Sequence, residues 1–486
     1  MRKIHLFLLI GFTVLFAACS SKSDNVVLNY TTDKTLGIAR YNLNNFVEKV
    51  SPEKLLQEKP NLDKELTMLL QLASKPSEAG IDITKPLYVI VDPGKKAYSP
   101  QVNILFSLTD KTKFQEKMSS IIKETVKIDE KDYIYIKEEL VGSYKDGLAV
   151  FCIEEPKRSY SYDDDGNRNK ASMNTPEKLD AFWARKGDAK ASIKEQVSKA
   201  LTDKKDVAAW MNIESVALYV SAGYIESLAV FKLLKDAGIS ANFNFDNGKF
   251  ELESSTYFNA DMKSILNKYY AKNSVNYDLV KYVDIDSAST YSFSYISLDL
   301  VKYIIKESGF ETKINLELQE LETNLDEITS LLTGDFAIAN FKPTSNDYYY
   351  DNKAAAVIGF NKDKRSLIDK FVEIFEMETP GFAIGENEIL VSSDSTIIAQ
   401  FTNKVAAKNA KLNKVSGVNS YTWTDANDLY RNYFYASKSD VDDQMPIKVV
   451  DMVSEAKVTD GDLYGKFTVN FDKKDQNVIY YLFRYE

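Results

Sequence analysis

The feature that most constrains the fold is an order of elements that occurs twice along the chain. A strand within residues 35–43 is followed by helices, a strand pair and an amphipathic helix, and the same order returns from residue 290. Apolar residues of corresponding elements lie at offsets that stay constant within a block, as insertions in loops would leave them. The matched pairs include Phe114 with Leu367, Met118 with Phe371, Ile134 with Ile384, Leu140 with Leu390, Phe151 with Phe401, and Trp210 with Trp423. We therefore predict two homologous halves, residues 26–275 and 281–486.

The arrangement of strands within each half indicates the fold class. Strands come mostly in adjacent pairs with helices between the pairs, which favours antiparallel or mixed sheets over a doubly wound parallel sheet. Asn247-Gly248 and Asp460-Gly461 are typical of tight hairpin turns. Apolar spacing predicts one helix from Ile314 to Leu332, and Trp210 and Trp423 are expected in the core at the start of a helix. The predicted fold is α+β, with two duplicated domains, each a mostly antiparallel or mixed sheet with helices packed on it.

The N-terminus has the pattern of a secretory signal peptide, residues 1–18. Arg2 and Lys3 precede an apolar run that ends at Ala18, directly before Cys19. This run is shorter than the roughly 20 residues that span a bilayer, which argues against an uncleaved membrane anchor. We expect cleavage before Cys19, acylation of Cys19 with palmitate or a similar chain, and a flexible tether over residues 19–25. The expected location is the cell envelope, at the outer membrane, with the surface or periplasmic face left open.

Composition excludes several classes of function. The only histidine is His5, which leaves with the signal peptide, so neither a Ser-His-Asp site nor a histidine-ligated metal site is expected. Besides Cys19 the chain has one cysteine, Cys152, and therefore no internal disulfide. The net charge of −10 does not suit a nucleic-acid partner. No glycine-rich phosphate motif occurs, and we expect no cofactor.

Two polar loops carry the candidate binding residues. Tyrosine offers a large contact area at low entropic cost, and these loops contain Tyr160, Tyr162, Tyr348, Tyr349 and Tyr350. The alternative is that one tyrosine in each loop turns inward while the others lie exposed on the loop without binding a partner. The acidic run Asp163–Asp165 lacks the first and last ligands of a calcium loop, so no metal site is predicted.

Three stretches resemble a known family, namely TLGIARYNLNNFVEKV, GIDITKPLYVIVD and NILFSLTDKTKFQEKM. Together with the lipobox, which is the end of the signal peptide at Ala18 followed by Cys19, these stretches are similar to the large uncharacterised lipoproteins of Bacteroidetes called domain of unknown function forty-eight thirty-six. The resemblance extends over most of the mature chain and implies no catalytic residues, because none is assigned in such families.

The functional expectation is a non-catalytic lipoprotein that binds or scaffolds a protein or glycan partner, attached to the membrane through lipid on Cys19. The alternative is a carboxylate-dependent glycan hydrolase, which would need two carboxyl groups about 5–10 Å apart in an open cleft. The sequence leaves the oligomeric state, the ligand and the membrane face undecided.

Overall fold

The computed structural model describes residues 25–59, 62, 64–96, 99–154, 174–202, 205–270, 274–341, 353–369, 381–426 and 447–485. Its strands are β1 (Gly37–Tyr41), β2 (Leu87–Lys96), β3 (Ser99–Ser107), β4 (Val126–Ile128), β5 (Tyr133–Ile136), β6 (Glu139–Lys145), β7 (Leu148–Glu154), β8 (Val207–Asn212), β9 (Gly238–Asp246), β10 (Lys249–Tyr257), β11 (Ala288–Tyr295), β12 (Leu332–Phe341), β13 (Ala354–Phe360), β14 (Phe382–Ile384), β15 (Glu388–Ser392), β16 (Ser420–Asp425), β17 (Val449–Thr459) and β18 (Asp462–Phe471).

The α-helices that accompany these strands are mostly short. They are α1 (Leu43–Val50), α2 (Pro52–Glu58), α3 (Lys64–Ser74), α4 (Lys111–Ile122), α5 (Pro176–Trp183), α6 (Ala191–Leu201), α7 (Ile213–Val220), α8 (Ala260–Tyr269), α9 (Leu298–Glu307), α10 (Glu311–Gln319), α11 (Leu325–Leu331), α12 (Ser395–Thr402) and α13 (Val478–Tyr485). A 3₁₀-helix, Asn25–Tyr30, precedes β1.

The chain divides into two compact units that do not follow a single cut. The first unit takes the described residues of Met1–Glu226, Asp236–Tyr257 and Lys474–Glu486, and the second takes those of Ser227–Lys235 and Phe258–Lys473. The compact units are therefore a different division from the predicted repeat halves, because α8 belongs to the second unit and α13 to the first.

The sheet of the first unit is antiparallel at every described pairing. Its strand order is β4-β5-β6-β7-β3-β2-β1-β8-β9-β10. One face packs against α5, α6 and the 3₁₀-helix, with Trp210, Val150 and Val197 in the core between them. On the other face, Phe114 of α4 lies against Phe106 and Phe151, at ring distances of 5.7 and 6.3 Å.

The C-terminal helix α13 completes the first unit. Val478, Ile479 and Tyr480 are each at most 2% exposed. Phe483 meets Phe46 of α1 edge to face at 5.6 Å, and the Tyr480 hydroxyl donates a hydrogen bond to Glu58 of α2. These contacts fix the last helix of the chain onto the N-terminal part of the same unit.

The sheet of the second unit is also antiparallel, with the order β14-β15-β13-β12-β11-β16-β17-β18. These eight strands have the same chain order and neighbours as β6-β7-β3-β2-β1-β8-β9-β10 of the first unit. Tyr291, Phe293 and Tyr421 lie in the core on one face. Helix α8 packs here through Leu266 against Leu300 and Val458, and Lys263 pairs with Asp462 at 2.6 Å.

Several local predictions are corrected by the structure. The helix expected from Ile314 to Leu332 is wrong: it is divided into α10 and α11, because the Asn324 side chain caps α11 at Glu327 N and the chain turns at Glu322, where φ is 53°. Phe151 lies on strand β7 whereas Phe401 lies on helix α12, so that matched pair is wrong. The matched pairs Leu140 with Leu390 and Ile134 with Ile384 are wrong as well. Strand β15 lies beside β13 as β7 lies beside β3, so β15 corresponds to β7 and not to β6, which carries Leu140, and β14 corresponds to β6 and not to β5, which carries Ile134.

Other local predictions are confirmed. The hairpins β9–β10 and β17–β18 close over the two-residue turns Asn247-Gly248 and Asp460-Gly461. At the second turn both residues have positive φ, 53° and 75°, as a type I′ turn requires. The mostly antiparallel sheets with packed helices agree with the predicted fold class.

Candidate functional site

The residues predicted to bind lipid or a partner lie outside the described residues. These are Cys19, Tyr160, Tyr162, Tyr348, Tyr349 and Tyr350, together with the acidic run Asp163–Asp165. Their roles stay predictions, and the described residues offer two other places to search for a site.

The first place is a small charged cavity in the second unit. Its volume is about 60 Å³, and its charged and aromatic lining is Lys281, Tyr282, Glu386, Glu388 and Lys404. Glu386 lies in the turn between β14 and β15, and Glu388 is the first residue of β15. Ligand sites in proteins usually enclose about 300–1,000 Å³, so this cavity has room for water but not for a sugar ring.

The carboxylates of this cavity are engaged by cations and amides. Glu388 is buried, accepts a hydrogen bond from Asn387 N at 3.0 Å, and lies 3.4 Å from Lys281 Nζ. Glu386 is exposed, and a hydrogen bond from Lys404 at 2.9 Å lowers its pKa. A glycosidase acid needs a raised pKa and an open cleft. The cavity therefore gives the hydrolase alternative no support, and its ion pairs hold the β14–β15 turn in place.

The second place is one face of the second unit's sheet, which we call the hydroxyl face. Three cross-strand pairs join β11 to β16 through side-chain hydroxyls: Thr290 with Thr424 at 3.4 Å, Ser292 with Thr422 at 2.8 Å, and Ser294 with Ser420 at 3.2 Å. Side chains alternate between the faces of a strand, so Tyr291, Phe293 and Tyr421 point into the core on the opposite face.

The rows of the hydroxyl face continue onto the flanking strands. Ser292 lies opposite Ile338 of β12, which lies opposite Ala356 of β13, and Thr422 lies opposite Ser454 of β17. Ile338 is 49% exposed, and none of the other residues of this row is buried. The adjacent rows add Asn340, Phe336, Ala354, Ile358, Met452 and Ala456. Not one of these residues is charged, although 27% of the chain is.

The equivalent rows of the first unit are apolar. Register places Ala39 opposite Ala209 and Val89, where the second unit has Ser292 opposite Thr422 and Ile338. Val89 is 8% exposed, against 49% for Ile338. The same sheet position therefore carries small or buried apolar side chains in one unit and a partly exposed hydroxyl surface in the other.

The hydroxyl face was not predicted, although the two strands carry a signal for it. The strands read ASTYSFSY and SYTWTD, with a hydroxyl at every second position of each. Period-two alternation of hydroxyl and aromatic residues predicts one core face and one hydroxyl face. The pairing of two distant strands, which brings the hydroxyls together, is not visible in either strand alone.

The remaining singled-out residues are structural. Trp210 is 2% exposed and lies on β8, and Trp423 lies half-buried on β16, stacked on Tyr291 at 5.3 Å. The core placement of Trp210 is confirmed, whereas Trp423 is partly buried and packs against the core. The placement of both at a helix start is wrong, since both lie on strands. Cys152 is a buried thiol on β7.

The described residues contain neither a metal-binding group nor a membrane-spanning helix. Within these ranges no group of three or more histidine, cysteine, aspartate or glutamate side chains could hold a metal ion. Among the helices that are described, none has the length and apolarity to cross a membrane.

Comparison with known proteins identifies a family but no characterised relative. No curated protein and no solved structure matches the chain. The family model described as Domain of unknown function (DUF4836) matches residues 41–397, which is well over half of the chain. The match confirms the family expected from the three resembling stretches, and the chain belongs to the DUF4836 family.

Proposed function

We propose that this protein is a lipid-anchored lipoprotein of the cell envelope that binds a partner without catalysis, through the hydroxyl face of its second unit. The observation that carries the proposal is the contrast between equivalent sheet rows. Ser292, Thr422 and Ile338 remain half-exposed where the first unit has buried or small apolar residues. A sheet face that a protein exposes is a candidate interaction surface.

The chemistry of this face favours a neutral glycan over a charged protein surface. Each Ser or Thr hydroxyl offers one donor and two acceptor sites, which suits the many hydroxyls of a sugar chain. Burying a charged partner on these uncharged rows would cost its hydration without a compensating charge. Asn340 adds an exposed amide, and Ile338 an apolar contact beside it.

The lipid anchor and the duplication are part of the same proposal. The signal-like segment ending at Cys19 supports acylation and attachment at the outer membrane. The shared order of eight strands supports descent of the two units from one duplicated domain. On this proposal one copy keeps its apolar core and the other has acquired the hydroxyl face.

Affinity electrophoresis of the full mature chain through gels that contain neutral polysaccharides tests the binding surface. We expect retardation by at least one neutral polysaccharide, and loss of that retardation in the double variant Ser292→Ala/Thr422→Val. The matched control is Thr312→Val, which removes an exposed hydroxyl on α10. Retardation that survives the double variant would contradict the proposed face. Failure of every polysaccharide, with a protein captured through the same face, would reassign the partner.

A separate experiment tests the anchor. Labelling with a palmitate analogue is expected for the native chain and not for Cys19→Ala. Protease treatment of intact cells then distinguishes the outer face, where the body is lost, from the periplasm, where it is protected until lysis.

A further inference from the structure

A second exposed surface lies in the first unit, and it is apolar. Helix α7 reads IESVALYV, and none of its eight side chains is buried. Its last residue, Val220, is 48% exposed, Tyr224 after the helix is 82% exposed, and Met211 just before the helix is 41% exposed. In water-soluble proteins a helix that is apolar all round is normally buried. We call residues 211–224 the α7 surface.

The few polar side chains of this segment hold it to the body of the first unit. Asn212 caps the helix by accepting from Ser215 N at 3.0 Å. The Ser215 hydroxyl donates to the Asp33 carbonyl at 2.9 Å, and Glu214 accepts from Asp236 N at 2.8 Å. The polar groups thus face the protein, and apolar side chains are left for the outside.

The α7 surface lies at the end of the sheet where the N-terminal segment enters. Gly37 at the start of β1 pairs with Met211 at the end of β8, and Asn212 pairs with Gly238 at the start of β9. Asp33, which receives the Ser215 hydroxyl, is on the segment that joins the 3₁₀-helix Asn25–Tyr30 to β1. On its way back toward Cys19 the chain thus passes α7 at Asp33 and then forms the 3₁₀-helix, which packs against α5 and α6.

The length of that chain limits how far this end can be from a lipid anchor. Six residues lead from Cys19 to Asn25, and a fully extended chain of that length spans about 20 Å. A short tether keeps the N-terminal part of the first unit, which includes Asp33 beside α7, near the bilayer. Apolar residues with a tyrosine beside them suit the interface between headgroups and acyl chains.

We propose that the α7 surface rests on the bilayer interface and, with the lipid on Cys19, sets the orientation of the protein. A lipid chain alone leaves the body free to rotate, whereas a second apolar contact fixes one end against the membrane. This inference rests on the proposed anchor, and it adds a protein surface that contacts the bilayer beside the anchor.

Depth-dependent quenching tests the inference on the acylated full mature chain in phosphatidylethanolamine–phosphatidylglycerol vesicles that carry spin-labelled acyl chains. A fluorophore is attached at Tyr224→Cys. Cys152 is buried, and Cys19 is blocked by lipid, so the new thiol is the reactive one. The matched control is Lys145→Cys, an exposed position on β6 beside the turn that leads to Leu148, at the other end of the sheet. Both positions are exposed, and circular dichroism verifies the fold of each variant.

We expect quenching at position 224 to exceed that at position 145 by about twofold or more, as for a side chain held at the interface. Equal quenching in vesicle-bound protein would overturn the α7 surface and leave the anchor standing. Failure of the chain to float with vesicles would instead refute the anchor. A change at position 224 that needs no vesicles and rises with protein concentration would identify a second copy as the occupant and would also overturn the inference.

Discussion

The buried carboxylate of Asp206 provides the sharpest test of how the first unit is held together. Its side chain is 0% exposed and lies 2.7 Å from Lys49 Nζ. Asn45 Nδ2 and Phe245 N donate to the same carboxylate, each at 2.7 Å. The group thus ties α1 to β9 from its position before β8. We expect Asp206→Asn to preserve volume while leaving the Lys49 ammonium with only the half-exposed carboxylate of Asp246, 3.9 Å away.

The structure sets the size of this effect. Breaking a buried ion pair by removing one partner costs about 3–5 kcal/mol. Lys49 is 20% exposed and keeps some hydration, which places the loss at the lower end, about 3 kcal/mol. For a unit of this size that corresponds to a fall in Tm of roughly 6–12 °C.

Calorimetry measures the transition, and hydrogen exchange of β8 and β9 peptides assigns it to the first unit. The control is Glu78→Gln, which removes a carboxylate paired with Lys75 at the surface, where both side chains are more than half exposed. We expect no measurable shift for this control. If Asp206→Asn matches the control, the carboxylate does not stabilise the unit and the reasoning fails.

Three further predictions test other parts of the structure. A hydrogen bond from Thr396 and the Lys353 ammonium lower the pKa of Asp394 to about 2. The free energy of unfolding of the second unit should therefore fall by at most about 2 kcal/mol as the pH drops from about 4 to 2. Urea titrations of Asp394→Asn should not show this loss. Gly80→Ala places a Cβ 2.1 Å from the Asp110 carbonyl oxygen at φ +63°, whereas the Cβ of Gly147→Ala meets nothing within 4 Å. Denaturation should show a loss in the free energy of unfolding of about 2–4 kcal/mol for Gly80→Ala and about 1 kcal/mol for Gly147→Ala. Equal losses would contradict the steric argument. Deletion of residues 476–486 removes α13, so hydrogen exchange should accelerate in β8 and β9 and stay unchanged in β11–β13; the reverse pattern would contradict the assignment of α13 to the first unit.

Local patterns predicted much of the fold because the information they need is local. The dipeptide Asp460-Gly461 closes its hairpin as expected, since both turn residues must take positive φ. Asp110 caps α4 by accepting from Thr112 N and Lys113 N, at the helix start that the sequence predicts. These features depend on a few neighbouring residues and on nothing distant in the chain.

Predictions failed where a local side-chain hydrogen bond or the pairing of distant strands determined the structure. Apolar spacing continued from α10 into α11, but the Asn315 side chain accepts from Leu325 N at 2.8 Å and ends that continuity. The pairing of β15 with β13 joins strands separated by other elements, which no local period reports. The hydroxyl face belongs to the same category, since Ser292 and Thr422 meet only through the pairing of β11 with β16.

The assignment of helices α8 and α13 shows why the order of elements in the sequence did not predict the bounds of the compact units. Helix α8 follows β10 of the first unit and belongs to the second, and α13 follows β18 of the second unit and belongs to the first. Periodicity identifies the apolar face of such a helix, but not which sheet covers it. Because each unit is completed by a helix from the other half, cutting the chain between the predicted halves would take Leu266 from one core and Tyr480 from the other. Each compact unit therefore contains residues from both predicted halves.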